Sequence, residues 1–242
     1  MNNKMWVIAK KDISEAFRSR STYFVVLIMI VLTIIYILSY VEVVKPLDKQ
    51  QAITYSRTFM NSLAYVLPMM FSIFVCSVFA NYSVIVDKAK RNIESLMATP
   101  VNIKQIWLGK SLAVTLPSLM VGITIAILSY LVMNIWFVIP KTSIFIFPDV
   151  LAIVSTFILV PVLLFSIVTI VTYIQLVITN PRIGNFVFSG IFFLLLFGVN
   201  ILNSMGFSFA FVYLAVIVLC SVISYILSLS LSKERVLLSN KV

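Results

Sequence analysis

Histidine is absent from this sequence, and its 242 residues hold only eight Asp and Glu. Without imidazole, histidine-based acid–base catalysis and histidine metal sites are excluded. The two cysteines, Cys76 and Cys220, both lie inside apolar runs. That leaves no disulfide framework and no cysteine metal motif, and each reads as a small buried hydrophobe. Neither thiol has a histidine to serve as its base, so an intramembrane enzyme lacks its nucleophile and no catalytic residue is assigned. Charge is thin everywhere, 11% of residues against about a quarter in soluble domains.

What fills the chain instead is apolar: 62% of residues are hydrophobic and the mean hydropathy is +1.12. One core of this size cannot bury so much apolar surface, because much of any folded surface faces its solvent. The solvent is therefore lipid. At this length a single membrane domain over 1–242 is expected, with no room for a second globular module.

A spanning helix needs about 20 apolar residues to cross roughly 30 Å of hydrocarbon. Six runs meet or approach that, at about 23–41, 60–86, 111–139, 150–178, 186–202 and 207–231, and none contains Lys, Arg, Asp or Glu. The fifth is the shortest, and only Asn203–Gly206 separate it from the sixth. That pair reads either as an outward hairpin or as a re-entrant turn. The net charge of +10 sits in short segments between these runs, which marks topology and anionic lipid rather than nucleic acid. Fourteen of the eighteen Lys and Arg fall before span one, between spans two and three, between four and five, and after six. Both termini and the even connections are therefore expected in the cytoplasm, with the chain integral to the cytoplasmic membrane. The first run is too long for the apolar core of a signal peptide and reads as a retained helix.

Before span one, residues 4–20 carry Trp6, Ala9, Ile13, Ala16 and Phe17 at helical spacing, with Lys10, Lys11, Ser14, Glu15 and Arg18 opposite. This pattern predicts an amphipathic helix in the membrane interface, anchored by Trp6, Ile13 and Phe17. Pro68, Pro117 and Pro161 fall within spans two, three and four, where they predict kinks.

Residues 87–110 form the longest expected cytoplasmic connection. Ile93, Leu96 and Met97 share one side of a short helix around Arg91–Ala98, with Glu94 near its polar edge. Thr99 is then the expected N-cap, and Pro100 the first residue, of a second helix leading through Ile103, Ile106, Trp107 and Lys110 into span three. A compact helix held between two spans is placed to take force from a soluble partner. Gly109-Lys110-Ser111 ends like a phosphate-binding loop, but the motif requires glycine at position 104, which is Lys104, and a strand upstream. The chain is not expected to hydrolyse ATP itself.

This connection resembles the signature of the membrane permeases of type 2 ABC (ATP-binding cassette) transporters. The match lies at Asp87, Glu94, Leu96, Thr99, Pro100, Val101, Gly109 and Lys110, and it departs where the family has Arg-Gly-Thr and this chain has Lys90, Arg91 and Asn92. Ile8-Ala-Lys-Lys-Asp-Ile and Arg18-Ser-Arg are similar to the family's opening. The resemblance implies a permease subunit of an exporter, paired with a second permease subunit and two copies of an ATP-binding subunit. ATP and Mg would be held by those partners, and this chain would bind no cofactor or metal. It implies a coupling helix docking through Glu94, Ser95, Leu96, Met97, Ala98, Thr99 and Pro100. It also implies an interface of spans one, two and five, which puts forward Tyr36, Ser72, Asn81 and Asn200 as pathway residues. The competing readings are an ion-coupled secondary transporter and a non-transporting membrane subunit of an ABC-type complex. Proton relays need Asp, Glu or His inside the membrane, and the runs contain none, which leaves a sodium site of Ser, Thr and carbonyl oxygens as the form an ion-coupled transporter would take. The polar residues of the runs, such as Ser166, Thr169, Thr172, Tyr173 and Gln175, are explained by hydrogen bonds between helices.

Overall fold

A computed structural model describes residues 3–178, 182–204 and 208–238, and helix is the only regular secondary structure among them. Helix α1 covers Asn3–Phe17, and α2 covers Arg20–Val44. Helix α3 runs over Lys49–Ala80 and continues as a wider π-helical stretch, Asn81–Val86. After one turn at Asp87–Ala89 comes the short α4, Asn92–Ala98. Then follow α5, Ile103–Met133 with further turns to Thr142, α6, Val150–Val177, and α7, Arg182–Ser204. Helices α8, Phe209–Ser230, and α9, Lys233–Leu238, complete the described chain.

Five of these helical runs are long and apolar enough to cross a membrane: Arg20–Val44, Lys49–Val86, Ile103–Thr142, Val150–Val177 and Phe209–Ser230. The protein is therefore an all-α polytopic membrane protein. The expected fifth span falls in α7, whose apolar stretch, Phe186–Leu195, is shorter. Residues 205–207, on which the question of a re-entrant turn falls, lie outside the described residues.

Two helices begin well before the apolar runs do. Lys49–Val86 has 38 residues and Ile103–Thr142 has 40. At 1.5 Å per residue each is nearly twice the roughly 30 Å of hydrocarbon. Residues 49–59 look like a loop by composition. Yet Ala52, Ser56, Met60 and Leu63 recur every three or four residues and are all buried. They pack against Tyr40 and Val44 of α2, and Tyr40 and Ser56 share a hydrogen bond of 2.6 Å. The helical stripe outweighs the polar composition.

The core divides by depth. The outer cluster joins α2, α3 and α5 through Met29, Tyr40, Met60 and Phe71. A central one joins α3, α6, α7 and α8 through Phe79, Leu164, Phe188 and Tyr213. The third, at the end rich in Lys and Arg, joins α1, α4, α5, α6 and α9 through Ile8, Ile93, Ile106, Trp107 and Val236. At the α3–α5 contact Gly122 faces Ser72 so closely that a Cβ there would stand 2.8 Å from the Ser72 nitrogen. Small residues let helices approach in this way in lipid.

Helix α8 hangs on α6 by hydroxyl pairs: Ser166 with Ser221 (3.3 Å), Thr169 with Ser224 (2.9 Å) and Tyr173 with Ser230 (2.7 Å). Pro68 and Pro117 sit inside helices that run through them. By contrast, π-helical stretches at Asn134–Val138 and Ser155–Leu159 lie just ahead of Pro140 and Pro161. Widening there accommodates a ring that would clash with the carbonyl four residues back.

Candidate functional site

The basic end gathers α1, the 87–110 connection and α9 into one unit. Helix α4 starts sharply because Arg91 takes a left-handed conformation, φ 57°, which turns the chain after Lys90. Glycine adopts that conformation freely, whereas a residue with a Cβ does so at a cost of about 1 kcal/mol or more. Here the turn is closed by the Arg91 N–H, which donates to the Lys88 carbonyl at 3.1 Å, and by Asn92 Nδ2, which donates to Asp87 Oδ1 at 2.9 Å. Ile93 and Met97, one turn apart, point into the core, and Lys233 from α9 donates to the Met97 carbonyl at 3.4 Å.

The boundary between α4 and α5 differs from expectation. Thr99 closes α4, its hydroxyl bonding the Leu96 carbonyl at 2.5 Å, and its extended backbone leads into residues 100–102. The cap of α5 is Asn102, with Gln105 completing a reciprocal capping box. Two donors are satisfied that way, where Thr99-Pro100 would satisfy one.

Of the seven docking candidates, Met97 is turned inward and buried. Ser95, Ala98, Thr99 and Pro100 are exposed, and Glu94 and Leu96 are half-buried beside them. The structure thus brings six of the seven to an outward surface. Trp6 and Phe17 are exposed on α1 and Ile13 is half-buried, while the helix buries Ile8, Ala9 and Asp12. The expected apolar stripe is therefore shared: Ala9 turns to the protein, and Trp6 and Phe17 lie at its surface, Phe17 edge-on to Phe79 at 5.4 Å.

Beneath this surface lies a buried charge cluster. Lys110 is fully buried and its ammonium has three partners: Asp87 Oδ2 at 2.6 Å, Asp12 Oδ2 at 3.0 Å and the Ser83 carbonyl. Three donors meet three acceptors. Ser83 also donates its hydroxyl to Asp12 at 2.7 Å. Four segments, namely α1, the end of α3, the turn before α4, and α5, are thereby tied at one nitrogen. Gly109 makes the approach possible, since a Cβ there would lie 3.0 Å from the Met5 carbonyl oxygen. Burial pushes the Asp87 carboxyl up, but the Lys110 charge, with hydrogen bonds from Lys110 and Asn92, more than offsets that and holds it below the usual aspartate value.

A second lysine fastens the same turn to α6. The buried Lys88 ammonium reaches the last carbonyls of that helix, Gln175 at 3.4 Å, Leu176 at 3.2 Å and Ile178 at 2.6 Å. A cation suits a helix C-terminus, where carbonyls are left over and the dipole is negative. Burial nevertheless draws this ammonium down to about 8. One turn deeper, Trp107 Nε1 donates to the Thr169 carbonyl at 2.9 Å, and Ser111 and Thr172 pair at 2.7 Å.

Of the proposed pathway residues, Tyr36 and Ser72 have described side chains, and these sit at two different helix contacts. Tyr36 stacks on Phe59 at 5.1 Å. Ser72 is fully buried against Gly122 between α3 and α5. The side chains of Asn81 and Asn200 lie outside the described residues. A separate groove of about 580 Å³ opens between α2 and α5, lined by Ile30, Thr33, Ile37, Thr124, Leu128 and Ser129.

Sequence reasoning reached Asp87 and Lys110 as members of a pattern but missed their contact, along with Asp12, Ser83, Lys88 and helix α9. Asp12 carried a signal: it stands between Ile8, Ala9 and Ala16 on one side of α1, an acid on an otherwise small and apolar strip. Among the described residues no group of three His, Cys, Asp or Glu is placed to hold a metal ion. No family model, curated protein or solved structure matches the chain.

Proposed function

We propose that this chain is a permease subunit of an ATP-driven ABC exporter, with α4 as its coupling helix. The observation that carries the proposal is α4 itself. It is a seven-residue helix between two long apolar helices, outward on Ser95, Ala98, Thr99 and Pro100 and clamped from within by Lys110 and Lys88. A docking helix must present a surface and must also be stiffly joined to what it moves. Here a push on α4 passes through Asn92 and Asp87 to Lys110 in α5, and through Lys88 to the end of α6. The one departure from the family's signature also supports the reading. Arg91 stands where the family has glycine and takes the left-handed conformation that glycine favours.

In this reading α7 is the fifth of six spans, both termini and α4 are cytoplasmic, and the chain sits in the cytoplasmic membrane. A second permease subunit completes the pathway. Two copies of an ATP-binding subunit, holding ATP and Mg, dock on the α4 surfaces and drive it. The groove between α2 and α5, apolar but for hydroxyls that bond back to their own helices, favours a hydrophobic or amphipathic cargo.

The test is to place Lys at Glu94 or Leu96. Both variants are expected to insert and fold, and to lose substrate-stimulated ATP hydrolysis by the assembled complex about tenfold or more, the scale on which one lost interface anchor acts. Unaltered stimulation in both variants contradicts the assignment of α4.

A further inference from the structure

Helix α1 has a charge balance that its sequence conceals. From residue 5 through the link to the first residue of α2, the chain carries Lys10, Lys11, Arg18 and Arg20 against Asp12 and Glu15. The structure buries one of these acids and sets the other beside a lysine at the surface. Asp12 is 5% exposed and spent on Lys110 and Ser83. Glu15 lies 3.8 Å from Lys11, one turn away. Lys10, Arg18 and Arg20 are exposed, and so are Trp6, Val7 and Phe17.

Only Arg18 and Ser19 separate α1 from α2, whose first lipid-facing residues, Tyr23 and Phe24, are 69% and 65% exposed. That places α1 where the first span enters the apolar layer, at headgroup depth. We infer that the outward face of α1, with the junction to α2, is a docking surface for anionic phospholipid headgroups, with Lys10 of α1 and Arg18 and Arg20 of the junction meeting the negative charge and Trp6 and Phe17 entering the boundary below it. Charge complementarity selects this occupant: an apolar helix face flanked by exposed cations that outnumber its one exposed acid, Glu15, matches an anionic leaflet. The inference stands apart from the ABC reading, because it concerns α1 and lipid and needs neither a nucleotide nor a partner subunit.

The experiment uses the full chain in lipid nanodiscs made either of phosphatidylcholine alone or of phosphatidylcholine mixed with phosphatidylglycerol. The probe is Trp6 fluorescence, taken as the difference between the unaltered protein and Trp6→Phe so that Trp107 and Trp136 subtract. Lipids brominated near the headgroup serve as quencher. The expected result is stronger Trp6 quenching in the anionic discs, with the excess abolished by raising the salt concentration.

In a Lys10→Gln/Arg18→Gln/Arg20→Gln variant the excess is expected to vanish, at about fivefold in partitioning per charge removed. It is expected to persist in Lys10→Arg/Arg18→Lys/Arg20→Lys. Basic residues also direct insertion, so the salt titration of the unaltered protein decides the matter. Equal quenching in both kinds of disc at low salt overturns the inference, as does a Trp6 shielded from lipid in both because water or protein covers the face.

Discussion

Lys110 is the residue on which the basic end depends. An ammonium taken out of water at this depth is tolerable only because two carboxylates and a carbonyl replace its hydration, and the carboxylates in turn rely on it. Such a cluster is not a large net source of stability, but removing one member is severe. Lys110→Met leaves Asp12 and Asp87 buried against each other's charge, and a loss of about 3–5 kcal/mol is expected, read from unfolding in detergent. Asp12→Asn/Asp87→Asn/Lys110→Met, which removes charge of both signs, is expected to recover most of it. A single variant that unfolds like the unaltered protein contradicts the central place given to Lys110. Gly109 belongs to the same arrangement. Its missing Cβ is what lets α1 come close enough for Asp12 to reach across.

At the scale of elements, the turn at Asp87–Ala89 and α4 act as a hub, and Lys88 is the part of it that titrates within reach. Its ammonium is drawn down by burial to about 8, from an ordinary 10.5, so the unfolded chain binds more protons than the folded one across that interval. Stability therefore rises with pH from about 8 to 10.5, because the penalty for holding a buried charge, complete below about 8, is progressively relieved. The contribution is expected as a positive slope in the unaltered protein that is missing in Lys88→Met, measured by unfolding in detergent across that range. An identical slope in the two proteins contradicts it.

The elements also show what the sequence could disclose. The apolar runs announced the membrane helices, since nothing else accounts for uncharged stretches of that length. The 49–59 extension of α3 was hidden, because its burial stripe is one residue wide and made of Ala52, Ser56 and Met60. The α5 cap was misplaced because Thr-Pro is a good start signal, and only the backbone shows that Asn102 with Gln105 is the one used. In the candidate site, Glu94–Pro100 were legible from position and pattern. The bonds of Asp12, Lys88 and Lys110 join residues up to 98 positions apart, and no local rule reports such pairs.

For the molecule as a whole, the structure separates a basic end cross-linked by buried lysines from spans that show much of their surface to the surroundings. Only 22% of the most apolar window of α2 and 11% of that of α8 is buried within the chain. The rest is left for lipid or, in the proposed function, a second subunit to cover. In the proposed function the chain is moved through α4 by an ATP-hydrolysing partner. The direct measurement is transport by proteoliposomes containing the chain purified with its native companions in mild detergent. ATP is supplied on the α4 side, and the ion gradients are collapsed. The account predicts ATP-dependent efflux of an apolar or amphipathic solute that ends when the nucleotide-hydrolysing companion is stripped away. Solute movement by the chain alone, driven by an ion gradient and indifferent to ATP, would contradict it.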